Sequence, residues 1–303
     1  MNQLGIFWRV CFLFFVITSG PPLCGASEVA QASTEHWFGD YFEAHRAAKE
    51  AEKFLLIYFY EPTNNPTREQ FEQTTLQEAS IKRSLDNFVL VKIPTTTEVK
   101  MDGISRPLLR HGAFVHMNGR QGLVIVDLKN QGRDYYGKPV SCLPFESSAY
   151  FSPTYWGTKS VRTLLALPPG TLTQRMLTFA VRCHPESPAS ANGQPHPQLF
   201  EASRRHSNHQ AQIRQQGHHN WNSRFHEIHA MVGGQAPTEV CAESWPGEGL
   251  LRSCFSCVYC WRQSSGHWRA VSSRQPAFGY DISLGSNGIW YATGIFGGFD
   301  QQN

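Results

Sequence analysis

The sequence has few of the features that mark common classes of protein. Its formal net charge of +3 is small, and its basic residues are not clustered, so nothing favours a nucleic-acid partner. It has no Gly-x-Ser-x-Gly segment, the usual elbow of a serine hydrolase. After residue 26 no apolar run approaches the ~20 residues that a membrane-spanning helix needs. We therefore expect neither nucleic-acid binding nor a transmembrane span in the mature chain.

One apolar run stands at the N-terminus. Arg9 precedes apolar residues 10–18, Pro21 and Pro22 end the run, and small residues follow up to Ala26. This order is typical of a secretory signal peptide over residues 1–26. It predicts a protein that is secreted or held in the periplasm or cell envelope. A membrane anchor is the alternative, but the run is too short to span a bilayer.

Six of the eight cysteines follow the predicted signal peptide, and an exported chain permits disulfide bonds between them. Three of them form Cys254-x-x-Cys257-x-x-Cys260. A ferredoxin-type cluster would need another cysteine where Ser264 stands, whereas Cys241 could supply the fourth sulfur of a zinc site. Three cysteines at this spacing also lie on one face of a helix. We favour disulfides or buried thiols, with zinc and iron–sulfur sites as the alternatives.

The first half of the chain has the pattern of a mixed α/β domain. The run Phe54–Tyr60 is apolar throughout, as in a strand that is buried on both faces. Asn118-Gly119 between two further apolar runs is typical of a hairpin. The predicted elements are, in order, a helix at 37–48, the strand Phe54–Tyr60, a helix at 67–85, a strand at 88–93 and a hairpin over 113–127.

This order of elements, over residues 35–145, resembles a thioredoxin-like domain. The redox Cys-x-x-Cys of such domains follows the first buried strand and opens the next helix, whose dipole lowers the pKa of a thiol. Here residues 61–67 occupy that place, and none of them is cysteine. The resemblance therefore implies a thioredoxin-like scaffold or docking domain that carries out no dithiol exchange at this position.

A proline-rich connector separates the two halves. Prolines recur through residues 146–197, and the stretch from 185 to 197 is the predicted boundary. Residues 164–182 contain enough apolar side chains to pack, so we expect an ordered arm that lies against one domain. The second domain, residues 198–303, is predicted to contain a helix at 199–216 that stops at Gly217, a helix at 250–262, and a hairpin around Gly285-Ser-Asn-Gly288.

Two short segments of this second domain carry a family resemblance. The first is Trp261-Arg-Gln-Ser-Ser-Gly-His267, and the second is Thr238-Glu239-Val-Cys-Ala242. With the strand pair that follows, they resemble the CAP superfamily of cysteine-rich secretory, antigen and pathogenesis-related proteins. Bacterial members carry Trp-x-x-Ser-Pro-Gly-His and Gly-Glu-Asn-Ile-Ala, so Ser265 departs from the pattern. The resemblance implies an SCP-like α-β-α sandwich around a small antiparallel sheet. The fold class predicted for the chain is α/β plus α+β.

The same resemblance implies a cleft lined by two histidines and one or two acidic residues. His267 and Glu239 match the histidine and the glutamate of the two segments. In bacterial members the other histidine precedes an arginine and the glutamate segment. His218 and His219 both fit that order ahead of Arg224, and we prefer His219.

Other residues near these segments have weaker claims. His229 lies closer to the histidine-to-glutamate spacing of eukaryotic members and is a rival, and Glu243 is the candidate for a second carboxylate. Ser264 and Ser265 are better explained as a helix cap than as a nucleophile. Gly266 suggests a close backbone turn that places the imidazole of the next residue at the helix end.

Two neutral imidazoles beside carboxylates suit a borderline divalent cation such as Zn²⁺. The predicted metal ligands are His267, His219 and Glu239. Histidine also titrates near neutral pH and could act as an acid or a base. The alternative to both roles is a hydrogen-bonded network that holds the helices together. His206 and His209, three residues apart on the predicted helix, are expected to be solvated.

The function that we expect is an exported, non-enzymatic CAP-domain protein. Its cleft would bind a divalent cation and, through it or beside it, an unidentified extracytoplasmic ligand or protein. A His/Glu metal-assisted hydrolase is the second hypothesis. A structural or partner-binding protein is the third, and a thiol oxidoreductase is the last.

Overall fold

The apolar run Phe54–Tyr60 forms the middle strand of the first sheet in the computed structural model, which describes residues 36–63, 65–101, 103–145, 157–187, 193–232 and 236–297. The predicted signal peptide lies outside these residues. The strands are β1 (Trp37–Phe38), β2 (Phe54–Tyr60), β3 (Phe88–Pro94), β4 (Glu98–Met101), β5 (Ile104–Pro107), β6 (Gly122–Val126), β7 (Pro139–Pro144), β8 (Gln194–Pro195), β9 (Thr238–Glu243), β10 (Ala277–Leu284) and β11 (Trp290–Gly297). The helices are α1 (Tyr41–Glu50), α2 (Pro66–Gln70), α3 (Ala79–Leu85), α4 (Thr158–Leu165), α5 (Leu172–Cys183), α6 (Pro197–Ile213), α7 (Trp221–Val232), α8 (Leu250–Gln263) and α9 (Ser265–Ser272).

The first sheet has the strand order β1-β3-β2-β6-β7. Its first three strands run parallel, and β6 and β7 continue it as antiparallel strands. Residues 55–59 of β2 are buried without interruption, which is the pattern of a strand covered on both faces. The prediction of a fully buried strand at this place is confirmed, with the same bounds.

The predicted hairpin over residues 113–127 is wrong in its first strand. Gly112–Met117 is a short 3₁₀ helix that buries Phe114 and Met117, which lie three residues apart on one face. Asn118 then adopts the left-handed conformation, with φ of 52°, and ends the helix. β6 pairs instead with β2 and β7. An Asn-Gly pair tolerates positive φ angles, and such angles end a helix as readily as they turn a hairpin.

The predicted helix over residues 67–85 is divided into two. α2 continues as a π-helical turn, Phe71–Thr75, and Glu78 then takes an extended conformation before α3 begins. Asn65 caps α2, because its side-chain oxygen accepts hydrogen bonds from the backbone N–H groups of Thr67 and Arg68. The helix start that would carry the redox motif of a thioredoxin is therefore held by an asparagine cap.

Glu72, in the π-helical turn, gives this region a pH-dependent contribution to stability. Its carboxylate accepts hydrogen bonds from Arg68 at 2.8 Å and Lys92 at 2.9 Å. Burial opposes ionisation, but the hydrogen bonds from Lys92 and Arg68 hold the pKa of Glu72 below its ordinary value. The stabilisation is therefore present above the unfolded-state pKa of ~4.3 and is lost as the pH falls through the lower folded-state pKa.

We expect Glu72→Gln to lower the free energy of unfolding by up to about 1 kcal/mol at pH 7, and by less at pH 3. Urea denaturation of the two proteins at both pH values measures this difference. A loss of the same size at pH 3 and pH 7 would show that the ionised carboxylate contributes nothing.

The connector contributes two helices to the core. α5 contacts β7 of the first sheet as well as β10 and α8 of the second half, and its residues 174–181 are buried. Arg175, at 3% exposure, donates hydrogen bonds to the carbonyl oxygens of Val140, Leu167 and Pro168 at 3.0, 3.0 and 2.6 Å. The expectation of an arm that lies against one domain is wrong, because α5 is shared by the two sheets.

The second sheet has the order β8-β10-β11-β9. β10 and β11 form the predicted hairpin and β9 pairs antiparallel with β11. One face carries α6, which packs so closely on β10 that a Cβ added to Gly279 would lie 2.2 Å from the backbone carbon of Leu199. The other face carries α5 and α8, whose buried residues share a core with Val240, Ala242 and Tyr280. The result is three layers, helix, sheet and helix, and the described part of the chain is mixed α/β, as predicted.

The two helices predicted in this half correspond to α6 and α8, whose bounds agree within a few residues, whereas α7 was not predicted. α6 ends at Ile213, where Arg214 takes a left-handed conformation with φ of 56°, so the stop comes before Gly217. No helix among the described residues is both long and apolar enough to cross a lipid bilayer.

Candidate metal site

Glu239 is the centre of a polar cluster on the α6 side of the second sheet. Residues alternate along β9, so Glu239 and Cys241 point to the same face while the apolar Val240 and Ala242 point to α8. Arg224 of α7 donates from both ends of its guanidinium group to the two carboxylate oxygens of Glu239, one of them at 2.9 Å. Burial opposes ionisation, but hydrogen bonds from His218 and Arg224 hold the pKa of Glu239 below its ordinary value.

Two histidines meet beside this carboxylate. His218, in the loop between α6 and α7, lies with Nδ1 at 3.0 Å from Glu239 Oε1 and with Nε2 at 3.4 Å from His267 Nε2. His267 stands in the first turn of α9, whose N-cap is Ser264: the hydroxyl oxygen accepts from the backbone N–H of His267. Burial, followed by the nearby His218, lowers the pKa of His267. The predicted helix cap is confirmed, and it fixes the backbone position of His267.

The contact with Glu239 assigns the tautomer of His218. A carboxylate only accepts hydrogen bonds, so Nδ1 of His218 carries the proton and Nε2 presents its lone pair to His267. Two nitrogen ligands at ~2.0–2.1 Å from a tetrahedral zinc ion lie roughly 3.4 Å apart. The separation of the two Nε2 atoms therefore matches the edge of such a site.

A second group lies deeper, against α6. Nδ1 of His206 is 3.3 Å from Glu239 Oε2 and 3.1 Å from Thr293 Oγ1, and Cys241 Sγ is 3.8 Å from the same nitrogen. The ligand atoms of His206, Glu239 and Cys241 all lie within 4.8 Å of one another, a group that could hold a metal ion. Burial lowers the pKa of His206 to about 4, so its ring is neutral. Burial, aided by Glu239, raises the pKa of the Cys241 thiol well above its usual value, so a metal would have to displace its proton.

The structure brings together His267, His218 and Glu239. The preference for His219 over His218 is wrong, because Nε2 of His219 lies 3.2 Å from the carbonyl oxygen of Gln215 and its ring faces away from His267, towards α6. The rival His229 stacks on Phe225 of its own helix, with ring centroids 5.8 Å apart.

Glu243 and Gly266 also differ from expectation. Glu243 is exposed at the end of β9. Burial is the main cause that raises the pKa of the Cys257 and Cys260 thiols, and the charge of Glu243 adds to it. Its charge is therefore close enough to α8 to act on these thiols. A Cβ added to Gly266 would meet nothing within 4 Å, so a close backbone turn is not the reason for that glycine.

Sequence reasoning missed His206, which was expected to be solvated and is 2% exposed. A signal for its burial was present. Leu199, Ala202 and His206 are spaced at i, i+3 and i+7, so the histidine continues the apolar face of the helix. A histidine on that face had to point at the sheet, where it contacts Thr293 and Glu239.

The cysteines do not form a four-sulfur site. Cys254 and Cys257 are buried in α8, and Cys260 is exposed. Cys241 lies on the opposite face of the sheet, where it contacts His206. Burial raises the pKa of the Cys254 and Cys257 thiols well above the usual value. All six cysteines of the described residues carry free thiols, so Cys254 and Cys257 correspond to the buried-thiol alternative.

Comparison with known proteins adds little to this geometry. No family model matches the chain, and no curated protein matches it significantly. Among solved structures, it is similar to an outer surface protein from Borrelia burgdorferi, with 16% sequence identity and a TM-score of 0.33. That likeness covers 41% of this chain and 90% of the other. At this TM-score the likeness carries no argument about fold or function, so the site has to be interpreted from its own residues.

Proposed function

We propose that the chain binds a divalent cation, zinc in the first place, between His218 Nε2 and His267 Nε2. The observation that carries the proposal is the pair of facing nitrogens, 3.4 Å apart, one of which is held as a lone-pair donor by Glu239. Neutral imidazole is a good ligand for zinc, and two protein nitrogens leave the remaining positions of a tetrahedral ion open. Water or a ligand from outside would fill those positions.

Glu239 acts here as the residue that orients a ligand, rather than as a ligand itself. Its oxygens already accept hydrogen bonds from Arg224 and His218, and Nδ1 of His206 lies 3.3 Å from Oε2. A metal would have to displace one of these groups. A carboxylate on the far nitrogen of a metal-binding histidine fixes the ring and raises its basicity. The low pKa of Glu239 makes it a weak base, which favours cation binding over metal-assisted hydrolysis.

The wider proposal is an extracytoplasmic CAP-like protein with a thioredoxin-like scaffold. The α-β-α layers of the second half and the motif residues Glu239 and His267 support the CAP-like part. The mixed five-stranded sheet and the asparagine cap at Asn65 support a scaffold that has no redox role there. Export is supported by the signal-peptide pattern of the sequence, and the ligand recognised beside the cation would be extracytoplasmic.

Calorimetric titration with ZnCl₂ tests the cation site. We expect His267→Ala to bind one zinc ion fewer per chain than the wild type. The stabilisation linked to that ion, about 2.7 kcal/mol when free zinc is one hundred times its Kd, should be lost as well. His229→Ala is the matched control, because it removes an exposed imidazole outside the cluster.

Both variants should melt within a few degrees of the wild type in the presence of a chelator, since neither removes a buried side chain. The proposal is wrong if His267→Ala binds as many zinc ions as the wild type.

A further inference from the structure

A small cavity between α6 and α7 is lined by three imidazoles. Its volume is about 210 Å³, and His206, His209 and His219 form part of its wall. The ring centroids are 6.4 Å apart for His206 and His209, 6.1 Å for His206 and His219, and 5.7 Å for His209 and His219. His206 and His209 lie on one face of α6, at i and i+3, and His219 approaches from the following loop.

His206, which lines this cavity, has one ring nitrogen without a partner. Its Nδ1 lies 3.3 Å from Oε2 of the Glu239 carboxylate, an atom that can only accept a hydrogen bond. Nδ1 therefore carries the proton, and Nε2 is an acceptor. That Nε2 atom is buried and has no hydrogen-bond partner among the described residues. A buried polar atom without a partner is rare and costly, and a ligand that accepts a lone pair would satisfy it.

The other two histidines agree with such a ligand. Nε2 of His219 faces the carbonyl oxygen of Gln215 at 3.2 Å and must donate to it, which leaves Nδ1 of that ring with a lone pair. His209 is only partly buried, so its ring is free to turn towards the other two. Three imidazoles are the protein ligand set of one of the well-known types of zinc site.

The charges around the cavity favour a cation over an anion. Two arginines line it, but Arg224 is paired with Glu239, and Arg205 is paired with Glu227 at 3.1 Å. Imidazole lone pairs cannot donate hydrogen bonds to an anion, whereas they ligate borderline metals well. An anion would therefore meet two arginines that are already paired, and an imidazole nitrogen, His206 Nε2, that accepts hydrogen bonds rather than donating them.

We propose that His206, His209 and His219 form a second divalent-cation site, for zinc or a similar borderline metal, separate from the pair His218 and His267. Around a tetrahedral zinc ion the ring centroids of three histidines lie roughly 5 to 5.5 Å apart. The centroid separations observed here exceed the upper end of that range by less than ~1 Å. Small rotations of the two partly exposed side chains, His209 and His219, would close this gap. Glu239 serves both sites, because Oε1 orients His218 and Oε2 orients His206.

The number of ions bound by single and double variants tests the second site. In titrations with ZnCl₂ we expect two ions per chain for the wild type, one for His209→Ala, one for His267→Ala and none for the double variant His209→Ala/His267→Ala. His219→Ala should repeat the result of His209→Ala. His226→Ala, on the exposed side of α7, is the control and should bind two ions.

Cobalt(II) provides a readout of the site itself. The His267→Ala protein should show the visible absorption of one tetrahedral cobalt ion, and this band should disappear when His209→Ala is added. A wild-type number of ions in His209→Ala and His219→Ala would overturn the second site. Loss of an ion in those two variants, with none lost in His267→Ala, would support the second site while rejecting the first.

Discussion

Glu239→Gln is expected to lower the free energy of unfolding by about 3 kcal/mol and to weaken zinc binding at His218 and His267 by 10- to 100-fold. The side chain of Glu239 is 1% exposed and that of Arg224 is 20% exposed. Removing one partner leaves the arginine without its counter-charge in a place that water scarcely reaches, which costs more than the pair itself contributes. The neutral amide also ceases to fix the tautomers of His218 and His206.

Urea denaturation in chelator separates the effect on folding from the effect on zinc affinity, which calorimetry measures. Glu243→Gln is the matched control, because it changes the same residue type on the same strand at an exposed position. The free energy of unfolding of this control should stay within ~0.5 kcal/mol of the wild-type value. A variant that also replaces Arg224 by methionine should lose less than the two single changes added together. Equal stability of Glu239→Gln and Glu243→Gln would show that the carboxylate is not the centre of the cluster.

The elements that could be predicted from the sequence are those whose pattern is compatible with only one local structure. β2 is apolar at every position, and the turn between β10 and β11 has glycine where a tight turn needs it. The error at Asn118 arose because a positive φ angle serves two structures. A local pattern cannot choose between them, because the two strands that pair with β6 are β2, some 60 residues earlier, and β7, which begins at residue 139.

In the candidate site, too, some residues could be predicted from the sequence and others could not. Glu239 and His267 were identified from motifs, and the motifs lie on elements that place them well. The choice between His218 and His219 depended on the rotation of a loop after α6, which ends earlier than Gly217 suggested. His206 comes from a helix whose buried face was visible in the sequence, but its partner Thr293 lies 87 residues away. Contacts of that kind are set by how α6 packs on the sheet, which no local pattern records.

Arg175→Met is expected to lower the free energy of unfolding by about 3 to 5 kcal/mol. Burial lowers the pKa of this guanidinium group to about 10, against the favourable charge of Asp127, and it remains charged at neutral pH. Besides the three carbonyl oxygens, it donates to Ser141 Oγ at 2.8 Å. Methionine fills part of the volume and leaves all of these acceptors without their donor. Arg162→Met, at an exposed position of α4, is the control and should cost less than ~0.5 kcal/mol.

The position of Arg175 also predicts how the loss spreads. It ties β7 to the start of α5, and α5 packs on β10, so the two sheets share a buried helix. Backbone amides of β2 and β10 should therefore lose hydrogen-exchange protection together in Arg175→Met, by similar free energies. If residues 35–145 and 198–303 unfold independently, only the first sheet will lose protection. Unchanged exchange in β10 would thus contradict a common core, while an unchanged melting temperature would contradict the importance of the arginine itself.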